Sequence, residues 1–198
     1  MFRLKQKLIL GSRSPRRKQI FDMLGLEFTC KAPQYSEDMS CDHQKTEIVE
    51  LPEFFAIQKS LSLSANNKSA LVISYDTIVL IENRALGKPE SPEDALRMLQ
   101  LLNGKRHQVI TGVALTTDNR IISSGKETTE VTFSRVKPWI LKEYASSKEP
   151  ADKAGSYAIQ GRGALLVKKI CGCYYNVMGA PIQLTLNMLE PYFYNITK

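Results

Sequence analysis

The sequence has no hydrophobic run long enough to cross a membrane. Among its 198 residues, no run of consecutive apolar residues approaches the roughly 18 that a transmembrane helix needs. After the first seven residues only residues 8–10 are apolar in a row, which is too short for the core of a signal peptide. We therefore expect a cytoplasmic protein that has no membrane partner.

Cysteine is also scarce, with four residues at Cys30, Cys41, Cys171 and Cys173. No two of them form a Cys-x-x-Cys pair, and their spacing does not match that of structural zinc sites. We expect reduced thiols that hold no zinc.

A long basic block and the aromatic signature of RNA-binding modules are missing as well, so we expect no specific nucleic-acid partner. The formal net charge of +7 nevertheless favours an anionic ligand. The hydrophobic fraction of 43% and charged fraction of 24% are typical of a globular protein. This length suits one α/β domain over residues 1–198, or two lobes that share one sheet.

Hydrophobic periodicity and capping signals predict alternating strands and helices that form a mixed or antiparallel sheet flanked by helices. In the helix that begins at Pro52, an apolar stripe recurs at helical spacing, and in the helix that follows Ser91 a second stripe does so. The first stripe is Phe54, Ile57, Leu61 and Ala65, and the second is Ala95, Met98, Leu99 and Leu102. The predicted strands cover residues 8–10, 70–81, 108–115, 120–124, 128–133 and 164–170, and the predicted helices begin at Pro15, Pro52, Pro92, Pro138 and Pro181.

The first predicted helix has an unusual start. Ser14 is its expected N-cap and Pro15 its first residue. Acidic residues are favoured in a first helical turn, yet Arg16 and Arg17 stand there. A phosphate at the helix end would accept hydrogen bonds from backbone amides and from Ser12 or Ser14, and the guanidinium groups would neutralise it. A solvated basic helix end is the alternative.

Several residues have the chemistry of a phosphate-processing site. Asp76 interrupts an apolar strand, where an ionised carboxylate needs a partner, so it is either a general base or metal ligand or a buried structural carboxylate. Lys59 and Lys88 could reach a phosphate, or be ordinary surface lysines. Glu37 could add a second carboxylate for Mg²⁺, or be a solvated loop acid. Gln160 lies among glycines, and its amide could contact a base edge.

In four motifs the chain resembles the Maf family of nucleotide pyrophosphatases, over nearly its whole length. They are Ser12-Arg-Ser-Pro-Arg-Arg17; Tyr75-Asp-Thr77 with Leu86-Gly-Lys-Pro89; Gly104 through Thr111-Gly-Val-Ala-Leu115; and Asp152-Lys-Ala-Gly-Ser-Tyr-Ala-Ile-Gln-Gly161 with Tyr175-Asn-Val-Met-Gly-Ala-Pro181. The resemblance implies an α/β fold similar to the inosine triphosphate pyrophosphatase superfamily, with a cleft between two lobes and commonly a homodimer. It also implies cleavage of a nucleoside triphosphate to the monophosphate and pyrophosphate, with a divalent metal ion such as Mg²⁺, Mn²⁺ or Co²⁺.

The resemblance also assigns expected roles to residues of this chain. Asp76 matches the proton acceptor, and Glu37 falls where a catalytic or metal-binding carboxylate lies, so both are expected metal ligands. The expected phosphate-binding residues are Ser12, Arg16, Lys59 and Lys88, with Ser14 and Arg17 beside them. Three matching positions, of which Arg16 is one, sort the subgroups of the family by the base that they accept. The residues there, Arg16, Thr77 and Gln160, resemble those of the dTTP/UTP subgroup.

One departure from the family pattern lies next to the expected proton acceptor, where Tyr75 replaces a small residue. A different class of function also stays open, namely a regulatory protein of cell division that binds nucleotide without turnover. A nucleic-acid binder that uses the basic surface is a third hypothesis.

Overall fold

A computed structural model describes residues 3–35 and 46–194 of the chain. The chain divides into two compact units. The first unit takes the described residues of Met1–Asp76, Thr111–Glu127 and Gly179–Lys198, and the second unit takes Thr77–Ile110 and Thr128–Met178.

In this described part of the chain, seven strands form one mixed sheet with the order β2-β1-β3-β5-β6-β7, and β4 pairs with β3. The strands are β1 (Leu8–Gly11), β2 (Thr29–Lys31), β3 (Leu71–Ile81), β4 (Arg84–Leu86), β5 (Arg106–Thr117), β6 (Arg120–Phe133) and β7 (Val167–Cys171). Strand β1 is parallel to both β2 and β3, whereas β4 is antiparallel to β3 and β7 to β6. The expected α/β class with a mixed sheet is therefore confirmed.

Six α-helices accompany the sheet in the same described residues. They are α1 (Pro15–Met23), α2 (Leu51–Ser64), α3 (Pro92–Leu102), α4 (Pro138–Ala145), α5 (Tyr174–Val177) and α6 (Ile182–Leu189). Within residues 3–35 and 46–194, every helix is too short or too polar to span a membrane.

In the first unit, helix α2 buries a different face from the one predicted. Phe54, Ile57 and Leu61 of the predicted stripe are only half-buried and Ala65 is exposed. The buried residues are Leu51, Pro52, Phe55, Ala56, Ser60, Leu63 and Ser64. Two serines can lie on the inner face because their hydroxyls have partners. One donates to Val72 O at 2.9 Å, and the other accepts from the backbone N–H of Asn119 at 2.9 Å.

Close backbone packing fixes where α2 begins. A Cβ atom added to Gly112 of β5 would lie 2.2 Å from the backbone of Pro52 and Glu53. Only glycine therefore allows this approach of the helix start to the strand. The same contact holds the start of α2 against β5.

In the second unit, α3 confirms the prediction made from its sequence. Its predicted stripe is buried, and the hydroxyl of Ser91 accepts a hydrogen bond from the backbone N–H of Asp94 at 3.2 Å. The helix packs against α4 and belongs to the main hydrophobic core of this unit, which also includes Phe133 and Tyr157.

Other boundaries differ from the prediction. Strand β6 is continuous where two strands were predicted, and its Gly125 lies under the side chains of Leu184 and Met188 from α6. Strand β2 was not predicted, because its three residues are all exposed and polar or small. The predicted strand over residues 164–170 begins as a 3-10 helix (Gly161–Leu166) and becomes strand only at Val167.

Candidate active site

In the first unit, the end of β1 and the start of α1 form a compact polar turn. Ser12 is buried, and its backbone N–H donates to Leu10 O at 2.9 Å. Its Oγ atom accepts two hydrogen bonds, from the backbone N–H of Ser14 at 3.1 Å and from Nη1 of Arg17 at 3.3 Å. Ser14 occupies the N-cap position, but its own side chain does not cap the helix.

Arg17 is turned back toward the protein from the first turn of α1. Its Nε donates to Gly179 O at 2.7 Å, and its Cζ lies 5.4 Å from the ring centroid of Tyr75. The next residue, Lys18, donates to Asp22 at 2.6 Å along the exposed side of the helix. These contacts give two of the basic residues partners within the protein, which accounts in part for a helix start that opposes the macrodipole. Arg16 is half-buried in the same turn.

Two of the predicted catalytic residues meet in the first unit. Nζ of Lys59 lies 2.5 Å from Oδ1 of Asp76, and each side chain is 14% exposed. Asp76 comes from β3 and Lys59 from α2. The buried hydroxyl of Ser60, next to Lys59, bonds Val72 O and Thr116 Oγ1 and so fixes the helix against the strands. The charge of the carboxylate, partly withdrawn from water, is thus compensated by a cation.

Tyr75 is the site residue for which sequence reasoning gave no role. It is fully buried, and its hydroxyl shares a hydrogen bond of 2.8 Å with Oγ1 of Thr185. Phe21 packs against its ring edge-on, with centroids 6.2 Å apart. Burial raises the pKa of the Tyr75 phenol well above its usual range, so the side chain is neutral. The one available signal was its departure from the small residue that the family usually has.

Three other predicted residues belong to the second unit. Thr77 follows Asp76 along β3 and is half-buried, whereas Lys88 and Gln160 are exposed. The backbone N–H of Gly155 donates to Gly87 O at 2.9 Å. This hydrogen bond joins the turn that carries Lys88 to the segment that carries Gln160.

A carboxylate that the sequence did not single out orders the segment after Gln160. Glu149 accepts hydrogen bonds from the backbone N–H groups of Gly163 and Arg162 and from the hydroxyl of Tyr144, at 3.0 to 3.2 Å. Burial raises the pKa of Glu149, but these donors outweigh it and hold the pKa below its usual range. The residue after Gln160 is Gly161, whose φ of +67° favours glycine.

The second predicted metal ligand, Glu37, lies outside the described residues. Within residues 3–35 and 46–194, no group of three or more His, Cys, Asp or Glu side chains could hold a metal ion. Asp76 therefore offers one carboxylate, of which Oδ1 already contacts Lys59.

Comparison with known proteins adds independent information. A curated "dTTP/UTP pyrophosphatase" of Bacillus pumilus (strain SAFR-032) is 43% identical over 186 residues, which are 94% of this chain and 96% of that protein. Its counterpart of Bacillus cereus (strain AH820) is 40% identical over 192 residues, 97% and 98% of the two chains. Among solved structures, a HAM1 protein from Coxiella burnetii superposes with a TM-score of 0.48 at 14% identity, over 66% of this chain and 74% of that one. The family model described as "Maf-like protein" matches residues 7–192. The chain therefore belongs to the Maf family.

Proposed function

We propose that this protein is a nucleoside triphosphate pyrophosphatase that converts dTTP and UTP, or modified pyrimidine nucleotides, to the monophosphate and pyrophosphate. The observation that carries the proposal is the half-buried pair of Lys59 and Asp76, which places a carboxylate and a cation 2.5 Å apart. Relatives that are 40–43% identical over nearly the whole chain have the name "dTTP/UTP pyrophosphatase", which supports the same activity here.

The proposed reaction is the attack of a water molecule on the α-phosphorus. Asp76 accepts the proton of that water, and pyrophosphate leaves. Lys59, Lys88 and Arg16 offset the negative charge that develops on the phosphate oxygens. Ser12 and the backbone N–H groups at the start of α1 bind the phosphate chain.

We propose that a divalent cation arrives with the nucleotide. Mg²⁺ is usually held by one or two carboxylates together with substrate phosphates. Asp76 supplies one carboxylate, and Glu37 is proposed as the second. When bound, Mg²⁺, Mn²⁺ or Co²⁺ would neutralise phosphate charge and polarise the phosphorus centre.

The choice of base is assigned to three residues. Gln160 is exposed in its segment, and its amide can both donate to and accept from a pyrimidine edge. Arg16 and Thr77 are the other two positions that match the dTTP/UTP subgroup. A pyrimidine substrate is supported by the names of the relatives.

A panel of nucleotides tests this function. Release of pyrophosphate is measured from dTTP, UTP, CTP, GTP and modified nucleotides with Mg²⁺, Mn²⁺ and Co²⁺. We expect release to be fastest from dTTP and UTP, and to be abolished by a chelator. No release from any nucleotide with any of the three metals would contradict the proposal and favour the nucleotide-binding regulator of cell division.

The assembly and place of action belong to the same proposal. We propose a homodimer that acts in the cytoplasm and removes unwanted nucleotides from the pool. Light scattering of the purified protein at several concentrations tests the assembly. A mass equal to one chain of 22.3 kDa at every concentration would contradict the dimer.

A further inference from the structure

Ser12 Oγ makes two hydrogen bonds within the described part of the chain, and it is the acceptor in both. The donors are the backbone N–H of Ser14 at 3.1 Å and Nη1 of Arg17 at 3.3 Å. A serine hydroxyl has two acceptor positions and one O–H that can donate. With both acceptor positions occupied, the O–H of Ser12 remains for an acceptor outside these contacts.

A phosphate oxygen is such an acceptor, because an ionised phosphate accepts hydrogen bonds and donates few or none. A hydroxyl that was free to rotate could present its lone pairs to the phosphate and repel it. Two donors directed at the oxygen remove that orientation. They also polarise the O–H bond, since a hydroxyl that accepts hydrogen bonds becomes a stronger donor in a chain of such bonds.

The guanidinium of Arg17 is itself held on more than one side. Its Nε donates to Gly179 O at 2.7 Å, which lies 162 residues away in sequence, and its Cζ lies 5.4 Å above the ring of Tyr75. A guanidinium interacts favourably with an aromatic face, and its planar fork holds its N–H donors in fixed directions, whereas the donors of a lysine ammonium rotate. The contacts with Gly179 and Tyr75 therefore fix the direction in which Nη1 points.

Tyr75 is a rigid support for this arrangement. Its ring is fully buried, its hydroxyl is anchored on Thr185 at 2.8 Å, and Phe21 packs edge-on against it. The small residue that the family usually has before the aspartate would offer Arg17 no ring to stack on.

We propose that Arg17 and Tyr75 are positioning residues, which fix the Ser12 hydroxyl as a hydrogen-bond donor to a phosphate of the substrate. Arg17 then acts on the phosphate through Ser12 and is not itself a phosphate ligand, contrary to the role expected from sequence. This inference rests on the proposed function, because that function supplies the triphosphate.

A double-mutant cycle distinguishes the two roles of Arg17. Binding of inorganic pyrophosphate is measured by calorimetry for the wild type, Ser12→Ala, Arg17→Met and the double variant. We expect each single substitution to weaken binding about tenfold, as loss of one hydrogen bond to a charged group does. If Arg17 acts through Ser12, the double variant binds about as weakly as Ser12→Ala alone. If the two effects multiply to about a hundredfold, Arg17 contacts the anion directly and the proposal is wrong.

Lys18→Met is the matched control. It removes one positive charge from the same helical turn, but Lys18 pairs with Asp22 on the exposed side of α1. We expect its affinity for pyrophosphate to change less than about twofold, since exposed charges are largely screened. A loss equal to that of Arg17→Met would show that general charge is responsible, and would overturn the proposal.

Tyr75 is tested with two substitutions. Tyr75→Phe keeps the ring under Arg17, whereas Tyr75→Leu removes it. We expect near-normal affinity from the first and a loss similar to that of Arg17→Met from the second, with no further loss when Ser12→Ala is added. Equal loss from both substitutions, at unchanged melting temperature, would contradict the supporting role of the ring.

Kinetic measurements distinguish failure of this positioning proposal from failure of the proposed function. We expect Ser12→Ala and Arg17→Met to divide their effects between kcat and KM in the same proportion, because they remove the same contact. Wild-type protein that binds pyrophosphate but hydrolyses no nucleotide would contradict the pyrophosphatase activity, and the binding cycle would still decide the role of Arg17. Wild-type protein that does not bind pyrophosphate would overturn the positioning proposal itself.

Discussion

Lys59 holds Asp76 through a contact of 2.5 Å between Nζ and Oδ1, and both side chains are 14% exposed. An ion pair withdrawn this far from water gains little net stability, because desolvation of the two charges offsets their attraction. A pair of apolar residues would serve the fold as well. The pair therefore supports the proposed role of Asp76 as a base.

Replacing Asp76 with asparagine tests its role as the base. The amide would keep the shape of the side chain but could not accept a proton, so we expect pyrophosphate release to fall about a hundredfold or more. Loss of the carboxylate also leaves the Lys59 cation uncompensated, so the melting temperature should fall by several degrees, and the rates are compared well below it. Asp22→Asn, at the exposed partner of Lys18, is the control and should keep the wild-type rate. Wild-type turnover by Asp76→Asn would remove Asp76 from the mechanism.

Substitution of Lys59 with methionine leaves the carboxylate of Asp76 without the cation beside it. Loss of one partner of a fully buried pair costs about 3–5 kcal/mol, and for this partly exposed pair we expect about 1–3 kcal/mol of unfolding free energy. Urea denaturation measures this loss. The double variant Lys59→Met/Asp76→Asn should be more stable than Lys59→Met, because no uncompensated charge remains. A double variant less stable than Lys59→Met would show that the two side chains are not coupled in this way.

The local parts of the fold were the predictable parts. Helix α3 was predicted with its cap and its stripe, because the signals lie within a few residues of each other, from Ser91 to Leu102. The prediction of the buried stripe of α2 was wrong because Ser60 and Ser64 lie on the buried face, where partners distant in sequence form hydrogen bonds with their hydroxyls. Periodicity of apolar residues cannot reveal such partners.

The site shows the same division between local and distant contacts. The basic start of α1 is visible in the sequence, but the partner of Arg17 is a carbonyl 162 residues away. The distance between Lys59 and Asp76 depends on how α2 docks on the sheet, and the close approach at Gly112 is one contact of that docking. Residue types therefore indicated the chemistry, and only tertiary packing shows which of those residues meet.

Gly112 offers a direct test of that docking. In Gly112→Ala the new Cβ would overlap the backbone of Pro52 and Glu53, so we expect a loss of about 3 kcal/mol or more in unfolding free energy, at the upper end of overpacking costs. Gly125→Ala is the matched control, since its Cβ would lie an ordinary 3.6 Å from Met188. We expect that variant to be unchanged or slightly more stable, because alanine loses less conformational entropy than glycine. Equal destabilisation by both variants would contradict the close approach at Gly112.

His107 should make the stability of the fold depend on pH. It is buried against Phe133 and Tyr157, its Nδ1 has no hydrogen-bond partner among the described residues, and burial lowers its pKa from 6.5 to about 4. Between these values the unfolded chain binds a proton that the folded chain does not. Stability is therefore lost as the pH falls from 6.5 to about 4, by about 3 kcal/mol at 1.4 kcal/mol per unit of pKa.

The variant His107→Phe has no side chain at this position that can bind the proton. We expect its unfolding free energy to vary less than that of the wild type between pH 6.5 and 4, whatever its absolute stability. Denaturation at several pH values measures the two slopes. Identical slopes would show that His107 titrates normally in the folded protein.

Gln160→Glu tests whether this side chain selects the base. The amide of glutamine can donate and accept, whereas an ionised carboxylate only accepts. Uracil and thymine present two carbonyl acceptors and one N–H donor, but cytosine presents an amino donor in place of one carbonyl. A carboxylate at this position would repel the carbonyl and favour the amino group.

We therefore expect the ratio of kcat/KM for UTP to that for CTP to fall about tenfold, the effect of one lost hydrogen bond together with repulsion. Because Gln160 is exposed, the melting temperature should stay within a few degrees of the wild type. An unchanged ratio, with both nucleotides affected alike, would mean that Gln160 contacts the phosphates or the sugar and that the base is selected by other residues.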